Sequence, residues 1–204
     1  YAGAAGGFID QLGFPYCRGR IFDAIEEDYG QYNDQKNIFW ASGACLFIRS
    51  SAFTALEGFD VTFFAHMEEI DLCWRAKNKN MSITYVGMST VYHVGAASLK
   101  TSNPKKTYLN FRNSLFTLVK NTHNPVPFVV FLRLTLDGIA GVRFLFQGKP
   151  KHMIAIIKAH GSFYKTLPKL LKFRQQQTSR ISHKLIASIV WSYFVRHITK
   201  FNKL

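Results

Sequence analysis

The hydrophobic pattern divides the chain into two regimes. Up to about residue 121, short apolar runs alternate with turn residues. "NIFWASGACLFIRSSAFTAL" holds a short strand-like run from Ala44 to Ile48, entered through Ser42 and Gly43, followed by Arg49, Ser50 and Ser51, where a serine can cap a helix that begins near Ala52. "EGFD", Glu57 to Asp60, reads as a turn, and "EEIDLCWRAKNK" reads as a helix with Glu68, Leu72 and Arg75 on one face and Glu69 and Cys73 on another. "MSITYVGMSTVYHVG" alternates as one or two strands ending at His93. After the basic loop "SLKTSNPKK" comes "TYLNFRNSLFTLVKN", a helix with Asn110, Arg112 and Asn113 near its start. Strand, helix and strand in succession predict an α/β layer.

Beyond residue 121 the pattern changes to long apolar and aromatic runs interleaved with positive residues, from "VPFVVFLRLTLDGIAGVRFLFQGKPKH" through "MIAIIKAHGSFYKTLPKLLKFR" to "HKLIASIVWSYFVRHITKF". The first approaches the length of a membrane span, but Arg133, Asp137 and Arg143 interrupt it. A charge at the bilayer centre costs roughly 2.5–3.5 kcal/mol on insertion scales, so helices lying in the membrane interface fit better than a spanning one. Amphipathic core helices of a basic domain are the plainer alternative.

Charge follows the same division. The chain carries a net +14, yet residues 1 to 100 hold 11 of the 12 acids and only 8 of the 26 Lys and Arg, whereas residues 101 to 204 hold 18 basic residues against Asp137 alone. Such asymmetry points to a polyanionic partner. No nucleic-acid motif accompanies the charge, which leaves an anionic membrane surface as the expected partner and no nucleic acid. At 48% apolar residues the chain can bury a real core. Cys17, Cys45 and Cys73 are odd in number and lack CxxC spacing, which predicts reduced thiols in a cytosolic setting and no structural zinc site. The opening "YAGAAGGFIDQLG" has no basic segment followed by an apolar one, so no signal peptide is expected there.

A quarter of the acids fall within "FFAHMEEIDLCWR", as Glu68, Glu69 and Asp71. Adjacent carboxylates at a helix start are stabilised as anions by the helix N-terminus, and one that faces a cleft can act as a general base. His93, at a strand end, is a candidate catalytic or metal-binding group. A solvated capping run with a buried histidine would account for the same spacing.

The succession "FWASGACLFIRSSAF", "GFDVTFFAHMEEIDLCWRAKN", "YVGMSTVYHVGAAS" and "YLNFRNSLFTLVKN" resembles the C-terminal portion of family 2 glycosyltransferases, inverting enzymes with the GT-A fold, and within them the bacterial rhamnosyltransferase-like group of surface-polysaccharide assembly. The resemblance covers about residues 36 to 121. It implies the C-terminal part of a GT-A domain, Rossmann-like with a mixed sheet, over 1–121, followed by a basic amphipathic helical region over 122–204. It also implies that Glu69 is the general base, with Glu68 and Asp71 beside it. Asp71 and Arg75 would position acceptor or loop, Gly43 and Ala44 would lie on the acceptor side of the cleft, and Arg112 and Asn113 would reach toward phosphate or an active-site lid. His93 would help to hold a divalent cation, Mg or Mn.

The implied partners are a nucleotide-diphosphate sugar donor and a saccharide or lipid-linked acceptor. The implied location is cytoplasmic, peripheral on the inner face of the cell membrane. The family's donor-binding βαβ units and Asp-x-Asp motif are absent from these residues, so little activity is expected of the chain alone. Two other functions remain open on the residues, a non-catalytic membrane-associated assembly module and a metal-dependent hydrolase using Glu69 with His93.

Overall fold

The structure, a computed structural model, describes residues 5–92, 103–177, 179–182 and 186–204. In chain order the elements are β1 (Gly7–Ile9), β2 (Pro15–Cys17), β3 (Arg20–Ile21), β4 (Ala24–Ile25), β5 (Gln35–Asn37), α1 (Ser50–Ala55), α2 (Glu68–Asn78), β6 (Thr84–Val86), α3 (Pro104–Asn121), α4 (Val126–Phe146), α5 (Pro150–Gln176) and α6 (Ile189–Phe194). The protein is mixed α/β. Its residues group into two compact units. One comprises Tyr1–Asp60, Glu69–His93 and Ile181–Leu204, and the other Val61–Glu68 and Val94–Arg180. The change of composition near residue 121 does not coincide with this division, because α3 groups with α4 and α5.

In the first unit β1 to β4 form an antiparallel meander, with Phe8 opposite Tyr16 and Arg20 opposite Ile25. β5 and β6 make a separate antiparallel pair in which Lys36 faces Tyr85. Among the described residues all strand pairing is antiparallel. Asp10 ties the meander to the chain's end. Its Oδ1 accepts from the Leu12 and Phe14 amides in the β1–β2 turn, and its Oδ2 accepts from the Ile189 amide at the start of α6, 2.9 Å away. The Phe201 ring packs on Phe8 and Tyr16.

Two local expectations change here. The run expected as a strand from Ala44 to Ile48 opens as a 3-10 turn over Gly43–Cys45, because the Ser42 hydroxyl accepts from the Ala44 amide and no strand among the described residues pairs with the segment. α1 begins at Ser50 with Arg49 in the capping position and no side-chain cap, so neither serine caps it.

The second unit is a three-helix bundle preceded by the loop 61–68. α3 starts earlier than the pattern suggested, since the Asn103 side chain accepts from the Lys105 amide and Pro104 occupies the first turn, where a missing N–H costs nothing. Asn110, Arg112 and Asn113 therefore lie in the middle of the helix. Contacts between Thr107 and His152 at one end and between Val119 and Arg174 at the other show that α3 and α5 run the same way, with α4 returning between them. Leu109, Leu115, Leu118, Val119, Ala159 and Phe163 are buried at its centre. Lys120 is buried too, its ammonium 5.0 Å from the Phe63 ring centre and 4.4 Å from that of Phe173, so two aromatic faces stand in for water around the charge.

The charges of α4 form a buried network. Arg133 Nε donates to Asp137 Oδ1 at 2.8 Å and its Nη2 donates to Ser114 Oγ, while His160 Nε2 lies 3.3 Å from Asp137 Oδ2. No helix among the described residues is long and apolar enough to cross a membrane.

Candidate functional site

Glu68 and Glu69 open α2 directly after a loop of unusual backbone. Phe64, His66 and Met67 all have positive φ, at 65°, 69° and 73°. Side chains larger than glycine pay for that region, and such strain persists only where surrounding groups over-determine it.

The over-determining groups come from α3. Buried Asn113 donates from Nδ2 toward the carbonyls of Phe63, Ala65 and His66 at 3.0, 2.8 and 2.7 Å. Arg112 Nη2 donates to the Thr62 and Phe63 carbonyls at 3.2 and 2.9 Å, and its Nε donates to Asn113 Oδ1 at 2.8 Å. The guanidinium lies over the Tyr108 and Phe116 rings. Phe63 is fully buried against Phe116, which anchors the loop's first turn. Arg112 and Asn113 thus clamp the loop that leads into the acidic cluster.

At the loop's end, Glu68 Oε2 and His66 Nε2 are buried without a hydrogen bond among the described residues, an uncommon condition for polar atoms in a folded protein. Burial pushes the His66 imidazole below its ordinary pKa and Lys106 adds to this, while Glu68 pulls the other way without reversing the direction. The unfolded chain, with His66 near the ordinary value of about 6.5, then binds more protons than the native state as pH falls through that value, so acidification costs stability. The urea midpoint should drop between pH 7.5 and 5.5, and His66→Asn, which tolerates the positive φ, should remove part of that drop.

Asp71 and Arg75 are both buried within the first unit. Arg75 Nε donates to Asp71 Oδ2 at 2.8 Å, Nη1 donates to the Leu56 carbonyl and Nη2 to the Gly58 carbonyl at 2.7 Å. The pair therefore holds the turn that follows α1. Glu57 and Gly58 have φ of 60° and 64° there, and a Cβ on Gly58 would press on the Phe53 ring. Leu56, Leu72 and Ala76 form the apolar core beneath, with Phe53 and Ile83 against it.

Gly43 and Ala44 lie exposed in their 3-10 turn. His93 lies outside the described residues. Among the described residues no group of three or more His, Cys, Asp or Glu could hold a metal ion. Burial pushes the Cys17 and Cys73 thiols up to about 12 and about 11, so both stay protonated at neutral pH.

A groove of about 360 Å³ runs between α3 and α5, lined by Thr62, Tyr108, Arg112, Ser162, Lys165 and Lys169 among others. Tyr108 Oη and Ser162 Oγ lie 2.9 Å apart. Burial pushes the Tyr108 phenol up, but hydrogen bonding to Ser162 and Arg112 outweighs it and the net direction is down. The groove combines cations with hydroxyls and has no acid in its lining, a set suited to phosphate oxygens.

The sequence reading missed the clamp's target, the His66 position and this groove. The groove's α3 side was visible as Tyr108, Arg112 and Phe116 at four-residue spacing, but its α5 side required knowing which helix α3 packs on.

No family model matches the chain, and no solved structure matches it. Over 132 residues it is 24% identical to the low-salt glycan biosynthesis hexosyltransferase Agl10 of Haloferax volcanii, a match covering 63% of this chain and 43% of that protein. Over 82 residues it is 34% identical to the N-acetylglucosaminyl-diphospho-decaprenol L-rhamnosyltransferase of Mycobacterium tuberculosis, covering 37% of this chain and 27% of that protein. The chain thus spans less than half the length of the curated relatives it matches. What it is similar to, over those parts, is proteins named as glycosyltransferases.

Proposed function

We propose that this chain is the acceptor-side portion of an inverting family 2 glycosyltransferase of GT-A fold, acting in surface-polysaccharide biosynthesis, whose donor pocket is supplied by residues N-terminal to it in the full-length protein. The observation that carries the reading is the acidic pair at the start of α2, delivered by a strained loop that α3 clamps, in a chain similar to two glycosyltransferases. Strain held in this way next to titratable groups is characteristic of functional sites.

In the proposed reaction Glu69 takes the proton from an acceptor hydroxyl as that oxygen attacks the anomeric carbon of the donor sugar. The carbon–oxygen bond to the nucleoside diphosphate breaks on the opposite face, the configuration inverts and the diphosphate leaves with the electron pair. A carboxylate held at a fixed position lowers the barrier both as base and by orientation. The Asp71–Arg75 pair secures the helix that carries the base. A divalent cation with His93 among its ligands belongs to the same proposal; among the described residues no group of three or more His, Cys, Asp or Glu would complete its ligand set.

The acceptor proposed is a lipid-linked saccharide, met at the inner face of the cell membrane. The reading as a whole is tested by nucleoside-diphosphate release from activated sugars by the full-length protein and its Glu69→Gln variant; no release with any donor would leave an assembly module as the function.

A further inference from the structure

α4 is built inside out. Its buried positions, Val129, Arg133, Asp137 and Gly141, recur every four residues and include the two charges. Its outward positions include Phe128, Phe131 and Phe146, which are 62%, 67% and 86% exposed, together with Ile139 and Val142. At 100° per residue these five project from one side of the helix. A helix at a water boundary has the reverse arrangement, polar outward and apolar inward.

The neighbouring helix extends the patch. Gly141 of α4 packs on Met153 and Ile156 of α5, joining the two in a hairpin. α5 exposes Ile154, Ile157, Tyr164 and Leu171 along one stripe, and beside it stand Lys151, Lys158, Lys165 and Lys172, exposed and seven residues apart. Contiguous apolar surface of this kind marks an interaction site.

We propose that the α4–α5 hairpin is a lipid-inserting element. The outer face of α4 enters the boundary between headgroups and acyl chains of an anionic bilayer without crossing it, and the lysine row of α5 meets the lipid phosphates. Charge selects this occupant over a second copy of the chain. The described residues of this unit carry 14 Lys and Arg and only two acids, Glu68 and Asp137, the second of them buried. Two copies facing each other would bring like charges together, whereas anionic lipid neutralises them. The inference deepens the proposed function, on whose lipid-linked acceptor its biological purpose rests, but its physical basis is the hairpin alone.

Sedimentation of the chain with phosphatidylcholine vesicles, with and without phosphatidylglycerol, tests it without any sugar transfer. Wild type should bind the anionic vesicles. Phe128→Ser, Phe131→Ser and Phe146→Ser together should weaken binding at least tenfold at unchanged urea midpoint. Replacing the four lysines by Gln should cost about fivefold each and abolish the preference for anionic lipid. Phe131→Trp should add quenching by brominated lipid beyond that of the wild type. Triple-Phe binding equal to wild type, or equal wild-type binding to neutral and anionic vesicles, would overturn the proposal. So would a lipid-free dimer that the triple variant abolishes, which would give the face to a second copy. Loss of transfer in Glu69→Gln bears on none of these outcomes.

Discussion

Glu69→Gln, in the protein that carries its donor half, should lower sugar transfer by about 10²–10⁴-fold while leaving acceptor and donor binding nearly unchanged. The substitution keeps the size and polarity of the side chain and removes only its ability to take a proton. Glu69 is the second residue of α2, so a neutral amide there loses a helix-dipole contribution of about 0.3–1 kcal/mol. A stability loss of that size does not imitate the expected effect on rate. Nucleoside-diphosphate release measured beside the urea midpoint separates the two. Rates equal to wild type would move the base elsewhere, with Glu68, whose Oε2 is buried without a hydrogen bond among the described residues, the first residue to test.

Asp71→Ala should be the most destabilising single change near the site, by roughly 3–5 kcal/mol, read as a lower denaturation midpoint. Removing the carboxylate leaves the buried Arg75 guanidinium without its counter-charge, although the Leu56 and Gly58 carbonyls still accept from it. Replacing both members, Asp71→Leu with Arg75→Met, should recover much of the loss, since the penalty comes from the unpaired charge rather than from the absence of the pair. The turn after α1 would then lose its tie to α2 even where stability returns. Activity that stays low in the double variant would show that holding this turn matters to the site.

Much of this was legible in the chain itself. The periodicity of "EEIDLCWRAKNK" located α2, the apolar runs after residue 125 located α4 and α5, and the interruptions at Arg133, Asp137 and Arg143 argued against a span; no helix among the described residues is long and apolar enough to cross a membrane. The acidic cluster stood out because acids are scarce in a basic chain. Less legible were the short elements. The Ala44–Ile48 run has strand composition, but a strand needs a partner edge, and whether one is nearby is not a local property. The start of α3 was hidden behind a loop-like "SNP", whose asparagine and proline are in fact its cap and first turn.

Composition and pattern by themselves determined the mixed α/β class, the helical positions, the charge division and the acids on which the proposed chemistry rests. These follow from side-chain periodicity and from counting, which need no knowledge of what lies across the core. Tertiary structure alone decided how those residues are used. It turned Asn113 onto three carbonyls of a strained loop and Arg75 onto the turn beyond α1, and it folded the charges of α4 inward so that its phenylalanines face out. A polar side chain is satisfied by whichever partner packing brings within about 3 Å, and that partner lies tens of residues away in sequence.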